Sequence, residues 1–336
     1  MRSIIRFIKF LFWSGLLLAL LVAAGLYYYA NQELRLEPSP VTLELRAGSS
    51  LRNVATQLAK AGVIERPELF EVLARVLGES ANLKAGNYEF LPPLTPLGLL
   101  QQMTRGDVTL LAVTFVEGST FTQMRKALQD NPKIRAETAA MTETELLEKL
   151  EIPQPLGEGW FFPDTYHFSA GTSDLAILRR ANQLMLRHLN REWERRAPDL
   201  PLKSPMQALI LASIVEKETG KPEERGLVAA VFINRLRIGM LLQTDPTVIY
   251  GMGESFKGNI RKSDLTTDTP YNTYTRAGLP PTPIAMPGLE ALRATLNPAP
   301  SDALYFVARG DGTSKFSRTL AEHERAVTQY QRRGRK

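Results

Sequence analysis

The sequence contains no cysteine. That excludes a disulfide framework, thiolate-ligated zinc, iron–sulfur clusters and a thiol nucleophile. Histidine is scarce as well. His167, His188 and His323 are scattered and lack HExxH spacing, so no zinc hydrolase centre, metal site or other cofactor is expected. A strong excess of one charge is also missing. The 336 residues carry 41 Lys and Arg against 35 Asp and Glu, a net charge of +6. Arg2, Arg6 and Lys9 lie at one end, and Arg332, Arg333, Arg335 and Lys336 at the other. Setting those seven aside leaves 34 basic against 35 acidic side chains. A near-neutral body lacks the broad positive footprint that phosphate backbones require, so no nucleic-acid partner is expected. What is present is ordinary globular composition, 44% hydrophobic and 23% charged, enough for one large domain or two modest ones.

Residues 10–29 (FLFWSGLLLALLVAAGLYYY) carry no charge. As a helix they would span about 30 Å, the thickness of a bilayer core. Trp13 sits near one edge and Tyr27, Tyr28 and Tyr29 at the other, where interfacial aromatics belong. Basic residues precede the run and Glu33 is the first acid after it. The positive-inside rule then keeps residues 1–9 in the cytoplasm and sends the rest outward. A cleaved signal peptide is the competing reading, with Ala23-Ala24-Gly25 as its best cleavage candidate, but the apolar run is longer than an ordinary signal core.

Residues 30–40 are polar and end in Pro-Ser-Pro, as a linker does. Two similar units follow. Each has a β-rich run, a Gly turn (Gly48, Gly118), a Ser or Thr N-cap and an apolar helical stripe, Leu51/Val54/Leu58 in the first and Phe121/Met124/Leu128 in the second. Helices are expected over 67–77 and 95–105, with a turn entering a strand over 84–90. The spacing predicts a small α+β module over 41–112. From 113 onward helices dominate, at 174–196 behind Ser173, 204–219 and 223–238. A basic amphipathic helix follows Ala321, and 326–336 form a basic tail.

The stretch 204–220 (SPMQALILASIVEKETG) is the most informative. Ser204 suits N-cap, Pro205 suits N1, Gln207 completes a capping box and Gly220 suits C′. Positions 206–215 are almost wholly apolar, so the helix is expected to be buried nearly all round. It ends in Glu216 and Glu218, which lie roughly 200° apart around the axis and cannot share one site. The carbonyl end of a helix and an apolar setting both push a carboxylate toward its protonated form, which suits a general acid. The alternative is that both glutamates are solvated and pair with Lys217, Lys221 or Arg225.

Residues 212–219 (ASIVEKET) resemble the signature of the YceG-like family, membrane-anchored endolytic murein transglycosylases. Further runs are similar: 158–166 (EGWFFPDTY), 231–236 (VFINRL), 242–251 (LQTDPTVIYG), 271–274 (YNTY) and 278–281 (GLPP). The resemblance covers about 41–325. It implies an α+β chain with an N-terminal transmembrane helix, a LysM-like module at 41–112 and a larger, mainly helical catalytic domain at 113–325 holding a glycan groove. It implies a lyase in the bacterial inner membrane, acting in the periplasm on peptidoglycan strands, with peptidoglycan synthases as possible partners. Glu218 takes the position of the catalytic acid, and Thr219 stands where relatives often carry Ser.

Other candidates come from the same runs. Gln243, Thr244 and Asp245 stand in one loop and are expected to contact sugar, although Asp245-Pro246 also reads as an N-cap with N1 proline. Tyr271, Asn272 and Tyr274 form an aromatic-polar cluster suited to lining a groove or to packing. Asp164 and Tyr166 read as a structural turn or as cleft residues. Two rivals to the transglycosylase remain: a hydrolase of the same bond with Asp245 or Asp164 as base, and a non-catalytic glycan-binding scaffold.

Overall fold

The computed structural model describes residues 2–36, 40–46, 48–108 and 110–332. Residues 37–39 of the expected linker and 333–336 of the expected tail lie outside them. The chain divides into two units, Met1–Leu111 with His167–Gly171, and Ala112–Tyr166 with Thr172–Lys336.

The first unit opens with helix α1 (Arg2–Asn31). Within it, Lys9–Asn31 is long and apolar enough to cross a membrane. Strand β1 (Val41–Leu45) leads into α2 (Leu51–Lys60), whose N-cap Ser50 accepts a bond from Asn53 N. Helix α3 (Pro67–Val76) follows, then β2 (Gly86–Phe90) and α4 (Pro96–Arg105). Strands β1 and β2 pair antiparallel, with Leu43 opposite Tyr88. Helix α4 starts at the Thr95 cap and stops at Gly106, whose φ of 77° suits a residue without Cβ. The core holds Val54, Leu58, Phe70, Tyr88, Phe90 and Leu99, all nearly or fully inaccessible.

Residues 30–36 do not behave as a free linker. Ala30 and Asn31 are still helical, Leu34 N donates to Leu94 O at 2.8 Å, and Leu36 is buried with Tyr29 and Ala30 in the module core. Apolar side chains at positions 29, 30, 34 and 36 outweigh the polar composition that suggested a tether, because they have a core within reach.

The second unit begins within β3 (Leu111–Thr114), which pairs with β4 (Thr165–Phe168). Between them lie α5 (Phe121–Gln129) and α6 (Glu143–Lys149), each started by a complete capping box. Then come α7 (Asp174–Glu194), α8 (Pro205–Glu218), α9 (Pro222–Arg237), α10 (Asp245–Met252), α11 (Lys262–Thr266) and α12 (Leu289–Leu296). A hairpin of β5 (Tyr305–Ala308) and β6 (Ser314–Ser317) precedes α13 (Leu320–Val327). The expected tail therefore begins inside α13, and Ala326 is buried. A π-helical turn, Thr328–Arg332, follows.

Helix α8 is the axis of this unit. Helices α7, α9, α10 and α12 all pack against it, and every residue from Ala208 to Val215 is buried. Burial on every side is what an all-round apolar helix requires. Its polar exception, Ser213, is satisfied: Oγ donates to Ile210 O at 2.7 Å and accepts from Ile284 N at 3.0 Å.

Candidate functional site

The helix that carries Glu218 is built to stop there. Ser204 caps its start by accepting from Gln207 N. The expected capping box does not close, because Gln207 Oε1 accepts from Lys203 N at 2.7 Å, one residue beyond the cap. At the far end Thr219 turns to φ −144° and ψ 129°, so the chain leaves as extended backbone rather than through a left-handed Gly220. Thr219 Oγ1 accepts from Lys221 N and closes the turn. Glu218 is thus the last helical residue.

The two glutamates part as their angular separation demands. Glu216 turns into protein, where Oε2 accepts from Gly288 N at 2.8 Å and Oε1 lies 3.7 Å from the Arg225 guanidinium. Burial raises its pKa, against the pull of the Gly288 bond. Glu218 instead borders a cavity of about 610 Å³ that also receives Arg235, Gln243, Asp245, Tyr274 and Tyr305. That volume lies in the range of small-molecule pockets. Burial raises the Glu218 pKa, and the charge of Asp245 raises it further; the Thr244 hydroxyl and the Arg235 charge oppose the shift.

Each neighbour is held by its own bonds. Thr244 is buried, and its Oγ1 donates to Glu218 Oε1 in a short contact. Its N–H donates to Thr273 Oγ1 at 3.1 Å. Arg235 is buried on α9, where Nε donates to Leu304 O at 2.7 Å and Nη1 to Leu242 O at 2.6 Å. Its guanidinium also lies 5.4 Å from the Tyr305 ring centre. The bonds from Nε and Nη1 go to carbonyls, and the charge of Arg235 acts on Glu218. Asp245 Oδ1 accepts from Tyr274 Oη at 2.6 Å. Gln243 adopts φ +47° with its N–H on Thr273 O; strain of this kind in a non-glycine residue costs roughly 1–3 kcal/mol and concentrates at functional sites.

The structure sorts the expected substrate-contacting residues. Gln243, Asp245 and Tyr274 share the cavity with Glu218, and Thr244 touches Glu218 itself. Asp245 is not the N-cap of α10. Thr244 occupies that position, and Asp245 is the first helical residue with its carboxylate free to meet Tyr274. Asn272 does not face the cavity. It is buried, and Nδ2 gathers the carbonyls of Asp264, Leu265 and Thr267 while Oδ1 accepts from Tyr274 N, which organises the loop that presents Tyr274. Tyr271 lies elsewhere too, bonded to Thr282 Oγ1 at 2.8 Å with its ring against Tyr250. Asp164 caps its own turn by accepting from Thr165 N.

Sequence reasoning gave no role to Arg235, Tyr305 or His323. Arg235 had a readable signal: a cation inside the apolar run 231–236, on a helix whose neighbours are buried. Tyr305 and His323 had none, because a hairpin and a C-terminal helix distant in sequence bring them to the cavity, their rings stacked 5.2 Å apart. Glu158 is a further carboxylate to which the sequence assigns no role. It is buried, accepts from Phe121 N at 3.1 Å, and is pushed up to about 8 chiefly by burial.

Comparison with known proteins agrees with the resemblance noted in the sequence. The YceG-like family profile matches residues 43–329. The endolytic murein transglycosylase of Bacillus subtilis (strain 168) is 31% identical over 336 residues, 92% of this chain and 91% of that protein. The endolytic murein transglycosylase of Streptococcus pneumoniae serotype 2 (strain D39) is 29% identical over 93% of this chain, which spans 63% of that longer protein. A YceG-like protein of Listeria monocytogenes, solved by crystallography at 2.6 Å, superposes with a TM-score of 0.54 at 31% identity, over 85% of this chain and 99% of the other. With most of its length matched by the profile and by these relatives, the chain belongs to the YceG-like family.

Proposed function

We propose that this protein is a membrane-anchored endolytic lytic transglycosylase that cuts the β-1,4 bond between MurNAc and GlcNAc in peptidoglycan, with Glu218 as its acid and base. The observation that carries the reading is the setting of Glu218. It ends a buried helix, is oriented by Thr244, borders a cavity able to take sugar rings, and is biased toward its protonated form by burial. Glu218 gives its proton to the glycosidic oxygen as the C1–O bond breaks, and the leaving GlcNAc gains a free hydroxyl. The resulting carboxylate takes the proton of the C6 hydroxyl of the same MurNAc, whose oxygen bonds to C1. The product is a 1,6-anhydro end, no water enters, and Glu218 is again protonated. Because the nucleophile belongs to the substrate, positioning counts for more than activation and one carboxylate suffices. Gln243, Asp245 and Tyr274, which line the same cavity, are the sugar contacts, and Asp245 and Tyr274 stabilise the positive charge that develops at C1.

Helix α1 is an uncleaved anchor in the inner membrane, with the N-terminus cytoplasmic and both units periplasmic. Strands β1 and β2 enclosing α2 and α3 in sequence support a LysM-like, glycan-binding module. The biological role is termination of nascent strands beside peptidoglycan synthases. One observation favours a hydrolase as second reading: Asp245 is a second carboxylate in the Glu218 cavity, as a water-activating base requires. Digestion of purified peptidoglycan by the detergent-solubilised protein separates the readings. Anhydro ends support the proposal, reducing ends support the hydrolase, and no cleavage supports a scaffold. Glu218→Gln should abolish cleavage with the fold retained, and undiminished cleavage by that variant overturns the assignment.

A further inference from the structure

Helix α3 carries more apolar surface than its unit consumes. Glu68, Glu71 and Arg75 follow one polar stripe along it. Phe70, Leu73 and Ala74 face the core and are buried. A third stripe, Leu69, Val72 and Val76, repeats at i, i+3 and i+7. It opens to the outside toward the helix end, where Val76 is 67% and the following Leu77 48% exposed. Surface leucines and valines scattered singly need no explanation, but these adjoin one another and the long apolar surface of α1.

The junction forms a notch of about 700 Å³. Leu18, Val22 and Leu26 of α1 line it with Val76 and Leu77 from the end of α3 and Leu97 of α4, and among the described residues no charged side chain borders it. Its depth along α1 is set by the covalent frame. Val22 lies about 10 Å and Leu18 about 16 Å along the helix axis before Tyr29, at 1.5 Å per residue. The start of α3 is tied at the Tyr29 level, where Tyr29 Oη donates to Arg66 O, and Tyr29 and Ala30 are buried in the same core as Phe70. The end of α3 is therefore fixed beside the stretch of α1 that a bilayer surrounds.

We infer that the first unit is partly inserted in the membrane: the end of α3 sits in the outer leaflet, and lipid acyl chains fill the notch between Val76, Leu77 and α1. The inference rests on the proposed reading of α1 as a retained anchor. Lipid is the occupant because one wall of the notch is itself the membrane-spanning surface, with Leu17, Leu18 and Leu21 about 60% exposed around it. Among the described residues the lining of the notch is uncharged, as acyl chains require.

The absence of native cysteine permits single-cysteine labelling of the full-length protein. Val76→Cys, Leu18→Cys and Thr56→Cys would each carry a bimane fluorophore in phosphatidylcholine–phosphatidylglycerol vesicles. Thr56 is exposed on α2 and reports water. Quenching by acyl-brominated lipid is compared with quenching by aqueous iodide. The expected result is that the label at 76 follows the label at 18: quenched by brominated lipid and shielded from iodide. A label at 76 that follows 56 while 18 is quenched by lipid overturns the docking and leaves the anchor standing. A label at 18 that lipid fails to quench overturns both. A label at 76 shielded from both quenchers means a protein cover, a second copy included, and overturns lipid as the occupant.

Discussion

Thr244→Val tests how Glu218 is tuned. The substitution keeps the shape of a buried side chain and removes only the hydroxyl that donates to Glu218. The loop should stay in place, because the bonds of the Thr244 N–H to Thr273 and of its carbonyl to Thr247 Oγ1 are untouched. The hydroxyl favours the ionised carboxylate, so its loss lets burial and Asp245 raise the Glu218 pKa further. A hydrogen bond to a charged group contributes about 1.5–3 kcal/mol, and one pKa unit corresponds to about 1.36 kcal/mol. Glu218 keeps an open side toward its cavity, so screening by water favours the lower end of that range. Cleavage needs protonated Glu218, so kcat/KM falls as pH rises through its pKa. The alkaline limb of the kcat/KM profile, measured as release of anhydro-ended fragments from purified peptidoglycan, should move to higher pH. Thr244→Ser should leave it near the wild-type position. A folded Thr244→Val protein whose alkaline limb is unmoved, or moved to lower pH, refutes the reasoning.

Three further outcomes follow from the same site and its surroundings. Glu218→Gln should raise Tm near neutral pH, because the folded state raises the carboxyl pKa above 4.5 and ionisation then opposes folding. The difference from wild type should vanish in melts taken below that pH, and an equal gap at all pH values would contradict the burial argument. Glu158 is pushed from 4.5 up to about 8, so wild-type stability should fall as pH rises through that window; calorimetry of Glu158→Gln should show a flatter dependence there. Arg235→Met leaves the carbonyls of Leu304 and Leu242 without their donor, which should cost about 2–4 kcal/mol in denaturant unfolding and move the alkaline limb of cleavage upward, since a cation beside Glu218 is lost.

Much of the local structure was legible because it depends on neighbours in the chain. The Ser50, Thr120, Ser173 and Ser204 caps accept the bonds their positions predict, and the apolar run of α8 meant burial on all sides. Termini were less legible. The Gln207 side chain had a second donor at Lys203 within reach, and the chain leaves α8 extended because Thr219 bonds forward to Lys221. The polar segment after α1 looked like a tether because composition cannot say whether a core lies within reach of Leu34 and Leu36.

By itself the sequence determined an apolar span, a pair of capped strand-turn-helix units, a buried helix with carboxylates at its end, and through long motifs the family. These follow from covalent spacing, charge and periodicity. Only the tertiary structure decided which carboxylate meets a cavity. Helix geometry puts Glu216 and Glu218 on opposite sides, but the packing of α9, α12 and the β5 hairpin closes Arg225 and Gly288 over one and leaves the other open beside Arg235 and Asp245. Tyr271 and Asn272 parted from Tyr274 for the same reason: side chains one to three residues apart in a loop point wherever their best hydrogen bonds lie, and those partners are set by distant segments of the chain.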